Sequence, residues 1–164
     1  MSTQISPTGR ILVGTDGSPA SLAALQWAGR EAKLRGMRVH VIYVRDGRRP
    51  PAAPYAPPPR AAGPAAPGAG ESALRQVVRE AFGADRGDVQ VELADGPPAR
   101  VLLERSVGAE MLVLGSTRPP GGDAALRARA SLGPVARDCL HAAPCPVVVV
   151  RSSDLHALAE PVHA

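Results

Sequence analysis

One stretch constrains the architecture of this chain more than any other. Met111-Leu112-Val113-Leu114 is a short apolar strand that stops at Gly115-Ser116. A Gly-, Arg- and Pro-rich loop runs on to Leu132, and Gly133-Pro134-Val135-Ala136 then opens a helix. Ala143-Pro144-Cys145-Pro146 ends that helix, and residues 147–150 form a second apolar strand. Strand, glycine loop and helix start is an arrangement that takes up phosphate. The first amides of a helix lack intrahelical partners, the helix dipole favours an anion there, and glycine admits a close backbone approach. Pro134 departs from that arrangement, because it has no N–H to offer.

The rest of the chain repeats the same alternation. Ile11-Leu12-Val13 ends in Gly14-Thr15-Asp16-Gly17-Ser18, a buried strand entering a turn. Ser18-Pro19 supplies an N-cap with proline at the first helical position, Leu22 and Leu25 continue at helical spacing, and Gly36 is a C-cap. Residues 39–44 form a second β-rich run, so the first 44 residues are one strand–helix–strand unit, which crosses over right-handed and implies a parallel sheet. A helix is expected near residues 71–82, with Leu74, Val77, Val78 and Ala81 on one face. Val89, Val91 and Leu93 alternate with polar residues as a strand, and Asp95-Gly96-Pro97-Pro98 turns into a helix over 99–107. Five strands alternating with four helices define an open α/β sheet with helices on both faces. Ligands in such sheets bind at the carboxyl ends of the strands, where the strand order reverses. Asp16, Val44 and Gly115 all lie at such ends.

Two segments fall outside this pattern. Residues 47–70 hold eight prolines among alanines and glycines and have no apolar period, so they read as a flexible surface insertion within a domain spanning 1–151. Residues 152–164 read as a loose tail. A chain of 164 residues is long enough for one domain with a proper core, and with 2% aromatics that core must be built from Ala, Val and Leu. Eighteen of the nineteen basic residues are arginine, Lys33 being the exception. With the abundance of Ala, Gly and Pro, this skew matches the codon bias of a GC-rich genome; its functional reading is affinity for phosphate oxygens. Nucleic-acid binding is disfavoured, because almost no aromatics are available for stacking. Residues 1–10 lack the apolar core of a signal peptide and no apolar run is long enough to span a membrane, so a cytoplasmic protein is expected.

With these residues in order, the chain resembles the universal stress protein family. The resemblance rests on Ile11-Leu12-Val13-Gly14-Thr15-Asp16-Gly17-Ser18, Val41-Ile42-Tyr43-Val44, and Asp95-Gly96-Pro97-Pro98-Ala99. It rests most on Leu112-Val113-Leu114-Gly115-Ser116, Gly133-Pro134-Val135-Ala136-Arg137 and Ala143-Pro144-Cys145-Pro146 with the strand that follows. It covers residues 9–151 apart from the insertion. The resemblance implies a Rossmann-like parallel sheet of order 3-2-1-4-5, of the adenine-nucleotide alpha hydrolase type. It also implies a homodimer formed through the strand at 147–150, which as an apolar edge would otherwise invite aggregation.

Some members of the family bind ATP and others do not. Those that do resemble a pattern of Gly, two residues, Gly, nine residues, then Gly followed by Ser or Thr. Carried over by position, the acid after strand one is Asp16, beside Gly14 and Thr15, and the adenine-contacting position is Val44. The first motif glycine is Gly115, flanked by Leu114 and Ser116, and the penultimate position is Gly133. Arg118 stands where the second glycine is expected, fourteen residues separate it from Gly133, and Pro134 stands at the Ser/Thr position, ahead of Val135. Each charge-assisted hydrogen bond contributes roughly 1.5–3 kcal/mol, so the two donors that Pro134 lacks would weaken a nucleotide by on the order of a hundredfold. Gly121-Gly122 and the Arg118, Arg127 and Arg129 guanidinium groups are the candidates to compensate.

Other chemistry is thinly represented. No His lies at ligand spacing from a Cys or carboxylate, so no metal site is expected beyond Mg²⁺ carried with a nucleotide. Cys139 and Cys145 are expected as reduced thiols, and Ser18 is better explained as a helix cap than as a nucleophile beside Asp16. No catalytic triad is present, so any ATP hydrolysis would be slow. Two readings stand: a stress-response module that binds ATP or another adenine nucleotide, and a nucleotide-independent dimeric adaptor with a degenerate site.

Overall fold

The computed structural model describes residues 9–46, 69–83, 88–116 and 132–151. The elements follow in the expected order: β1 (Arg10–Thr15), α1 (Pro19–Arg35), β2 (Arg38–Arg45), α2 (Ala69–Phe82), β3 (Val89–Asp95), α3 (Pro98–Ser106), β4 (Met111–Ser116), α4 (Pro134–Ala142) and β5 (Val147–Arg151). Local signals account for the ends of α1. The Ser18 Oγ accepts from the Ser21 amide, Pro19 sits in the first turn, and Gly36 adopts the left-handed conformation, φ 64°, that a side chain resists. The second helix starts two residues earlier than its apolar face indicates, and the third starts and ends one residue earlier. In both cases the terminal turn is set by backbone geometry and not by the apolar face that the sequence displays.

All strands pair in parallel, in the order β3-β2-β1-β4-β5. Alternation along each strand divides the core between two faces. Ile11 and Val13, Val39 and Val41, and Met111 and Val113 pack beneath α1 and α2, where Ala23, Ala24, Leu25, Ala28, Leu74 and Val78 meet them. Leu12, Ile42, Leu112 and Leu114 point the other way, toward Val101 and Leu102 of α3 and Ala136 and Cys139 of α4. The sheet-facing stripe of α1 is largely alanine, so this helix lies low on the sheet. That low approach brings a core nearly free of aromatics into contact with the sheet.

The expected insertion at 47–70 lies outside the described residues except for Ala69 and Gly70, which begin α2. The tail at 152–164 lies outside them entirely, as do Arg118, Gly121, Gly122, Arg127 and Arg129. Among the described residues, no helix is long and apolar enough to cross a membrane.

Candidate functional site

The β1–β4 ladder ends at Gly14↔Leu114, although β1 continues to Thr15 and β4 to Ser116. The strands part where the order reverses, between the strand that leads toward β2 and the strand that leads toward β5. A crevice of about 270 Å³ opens there. Its apolar wall is formed by Ile42 and Val44 of β2, Pro98 and Leu102 of α3, and Leu114. Thr15, Asp16 and Ser21 form the polar side, and Val135 and Ala136 bring the first turn of α4 to the third.

Two glycines shape this opening for steric reasons. A Cβ at Gly115 would lie 2.5 Å from the Ser21 amide nitrogen and would also strike the Ala20 carbonyl group. Those are backbone atoms of the first turn of α1, so β4 and α1 touch with no space for a side chain between them. A Cβ at Gly14 would come within 2.8 Å of Leu114 Cδ2 and 3.1 Å of both Leu102 methyls, so Gly14 leaves these side chains their place along the crevice.

The polar side is internally satisfied. The Thr15 hydroxyl accepts from the Gly17 amide and donates to Ser21 Oγ at 3.0 Å, and the Ser21 hydroxyl donates to the Ser18 carbonyl at 2.9 Å. This relay ties the end of β1 to the first turn of α1. Asp16, exposed at the mouth, accepts the Ser18 amide at 2.9 Å. Desolvation by itself would raise the pKa of its carboxyl. Hydrogen bonds from the Ser18 side chain and backbone and from Ser21 outweigh that effect and hold it below the ordinary 3.8. Asp16 is therefore a fixed negative charge at neutral pH, oriented by the turn that follows it.

At the start of α4, Gly133 is the N-cap in extended conformation and gives no side-chain cap, and Pro134 occupies the first helical turn. Proline is well placed there for the fold. Among the expected site residues, Gly14, Thr15, Asp16, Val44, Leu114, Gly115 and Val135 line the crevice. Ser116 is buried at the end of β4, and Gly133 and Pro134 are exposed; none of the three is part of the lining. Ser21, Ile42, Pro98, Leu102 and Ala136 line it and carried no motif of their own. Strand alternation from Val44 back to Ile42 is a signal that could have found one of them, whereas Pro98 and Leu102 reach the crevice through the docking of α3. Ser18 acts as the cap of α1, as its position before Pro19 indicated.

Among the described residues, no three His, Cys, Asp or Glu side chains are grouped to hold a metal ion, and Asp16 is the only carboxylate on the crevice. Cys139 and Cys145 are free thiols. Burial pushes the Cys139 thiol up to about 11, with Asp138 and Cys145 adding to the shift, so it is a packing residue and not a nucleophile.

A five-stranded parallel sheet of this order, with helices on both faces and a crevice at its switch point, defines the class as a Rossmann-like α/β protein. The model of the universal stress protein family matches residues 7–151, and the chain belongs to that family. A universal stress protein of Mycobacterium tuberculosis is 36% identical over 160 residues, covering 94% of this chain and 51% of its own length. One from Mycolicibacterium smegmatis is 37% identical over 148 residues, covering 88% of this chain and 48% of its own. The chain thus spans about half the length of the curated relatives it matches. Among solved structures, a universal stress protein in complex with cAMP aligns with a TM-score of 0.60 at 24% identity, covering 88% of this chain and 97% of that one. The Archaeoglobus fulgidus universal stress protein in complex with dAMP aligns with a TM-score of 0.59 at 20% identity, covering 87% and 97%. At these identities the likeness is one of fold.

Proposed function

We propose that this chain binds an adenine nucleotide in the crevice between β1 and β4, as a nucleotide-responsive member of a stress-response family. The observation that carries this reading is the crevice itself. An apolar wall of Ile42, Val44 and Leu102 suits a purine base, and Asp16 is held ionised opposite it, in reach of ribose hydroxyls as an acceptor. Gly115, Val135 and Ala136 bring backbone to the side where phosphate would sit. The fold neighbours in complex with cAMP and dAMP support the same class of ligand. ATP belongs to that class, and with Asp16 the single carboxylate on the crevice among the described residues, Mg²⁺ would be held chiefly by the phosphates. The first turn of α4 reaches the crevice through Val135 and Ala136, and the proline that opens it has neither amide nor hydroxyl to give, which favours nucleotides with fewer phosphates.

The test is to denature protein purified without added nucleotide, identify what is released, and titrate AMP, cAMP, ADP and ATP calorimetrically. Binding of at least one of them tighter than about millimolar is expected, a free energy of roughly −4 kcal/mol or better. If nothing co-purifies and none binds in that range, the adaptor reading replaces this one. The proline that opens α4 is the observation in favour of that second reading.

We further propose that two copies pair through β5. Its outer edge has no strand partner among the described residues, and Val147, Val148 and Val149 are only partly buried in one copy. Light scattering at micromolar concentration is expected to give twice the chain mass, and a monomer mass would refute the pairing.

A further inference from the structure

The strand ends remote from the crevice carry a second concave surface. Register pairs Arg10 of β1 with Arg38 of β2, and two residues on it aligns Leu12, His40 and Gln90 across β1, β2 and β3. Strand alternation puts Arg10, Arg38, His40 and Gln90 on one face of the sheet. These four residues, with Gly9 and Gly108, line a cavity of about 350 Å³.

The groups around this cavity are unevenly neutralised. Like charges directly opposite each other on neighbouring strands repel, as Arg10 and Arg38 do. The Arg10 guanidinium donates to the carbonyl oxygens of Arg105 and Val107, both 2.8 Å away, which are uncharged acceptors at the end of α3. The carboxylate near Arg38 is Asp88 at 3.9 Å, with both side chains mostly exposed, so water screens that pair. His40 is 4% exposed, and its Nδ1 has no hydrogen-bond partner among the described residues. Its Nε2 faces the Glu92 carboxylate, 2.9 Å from Oε2, and Glu92 is itself paired with Arg105 at 2.9 Å. Burial is the largest influence holding the imidazole pKa below 6.5, with Arg10 and Arg105 adding to it and Glu92 opposing. A buried ring nitrogen left without a partner, as Nδ1 is, is costly unless something bonds to it, and in the protonated ring it is a donor to an anion.

We infer that this cavity is a binding site for a phosphate-type oxyanion, held between Arg10 and Arg38 with His40 beneath it. Guanidinium forks match phosphate oxygens, and a tetrahedral anion has enough acceptors for two forks and an imidazole, where a single carboxylate has two oxygens. A bound anion also offsets the repulsion of the paired arginines. The site lies at the opposite end of the strands from the nucleotide crevice and stands independently of it.

Nuclear magnetic resonance of the imidazole nitrogens during titration with inorganic phosphate tests this, with ionic strength held constant by chloride. A saturable shift of the His40 signals is expected, together with a raised imidazole pKa, because an anion stabilises the protonated ring. Arg38→Gln, at a largely exposed position, is expected to weaken the phosphate affinity at least about tenfold, the factor lost with one charge-assisted hydrogen bond, and to leave nucleotide affinity unchanged. Arg38→Lys should restore part of it. The inference is overturned if the His40 signals do not saturate with phosphate, if acetate shifts them equally at equal concentration, or if Arg38→Gln leaves the titration unaltered.

Discussion

Gly115→Ala is expected to lower the stability of this protein by about 3 kcal/mol, at the upper end of what overpacking usually costs. For a domain of this size that corresponds to a fall in Tm of roughly 6–12 °C. The reason is the kind of atom in the way. The added methyl meets the Ser21 amide at 2.5 Å and the Ala20 carbonyl, and backbone in the first turn of a capped helix cannot rotate aside as a side-chain end can. Relief requires α1 to lift off β4, which would also break the relay from Thr15 through Ser21 to Ser18. Gly133→Ala is the control, since among the described residues a Cβ there meets nothing within 4 Å and φ is −63°, leaving only the smaller cost of alanine at an N-cap. Thermal denaturation followed by circular dichroism compares the two; a Gly115→Ala protein that melts with the parent would refute the packing argument. The result bears on function as well. A glycine that the family resemblance assigns to phosphate contact is needed here for helix–sheet packing, so its presence is not evidence that phosphate binds.

Ile42→Ala is expected to cost about 2–5 kcal/mol, the range for removing a large aliphatic side chain from a core, and Ile42→Val about 0.5–1.5 kcal/mol. Ile42 is fully buried, lies in register with Gly14 on one side and Glu92 on the other, and contributes to the apolar wall of the crevice. It therefore couples stability to the proposed base-binding surface. Denaturant midpoints report the first effect. Calorimetric titration of the same variants, kept at a temperature where they remain folded, reports the second. Loss of stability with unchanged nucleotide affinity would show that the base does not use this wall.

Much of this was legible in the residues. The cap at Ser18-Pro19, the stop at Gly36 and the apolar runs of β1, β2, β4 and β5 have local causes, and the structure places elements where those signals lie. Asp16, Val44 and Gly115 could be placed at strand carboxyl ends because α/β alternation determines which ends converge. Gly133 and Pro134 were the weaker inference. A motif position indicates where the backbone passes, while the lining of the crevice depends on which way the first turn of α4 presents its residues; Val135 and Ala136 face it. Leu102 and Pro98 could not be assigned from a motif, because they reach the crevice only through the docking of α3.

By itself the sequence determined the succession of elements and, through strand alternation, which strand residues share a face, while the strand order 3-2-1-4-5 came from the family resemblance. The first two follow from short-range patterns: a period of two in strands, of 3.6 in helices, and capping chemistry at their ends. Only the tertiary structure decided that Gly115 is the contact point of β4 with α1, that the β1–β4 ladder stops one pair short of Thr15, and that Arg10, Arg38 and His40 share one cavity. These depend on strand register and on how closely a helix approaches the sheet. Both are set by the packing of segments far apart in the chain, which no local pattern encodes.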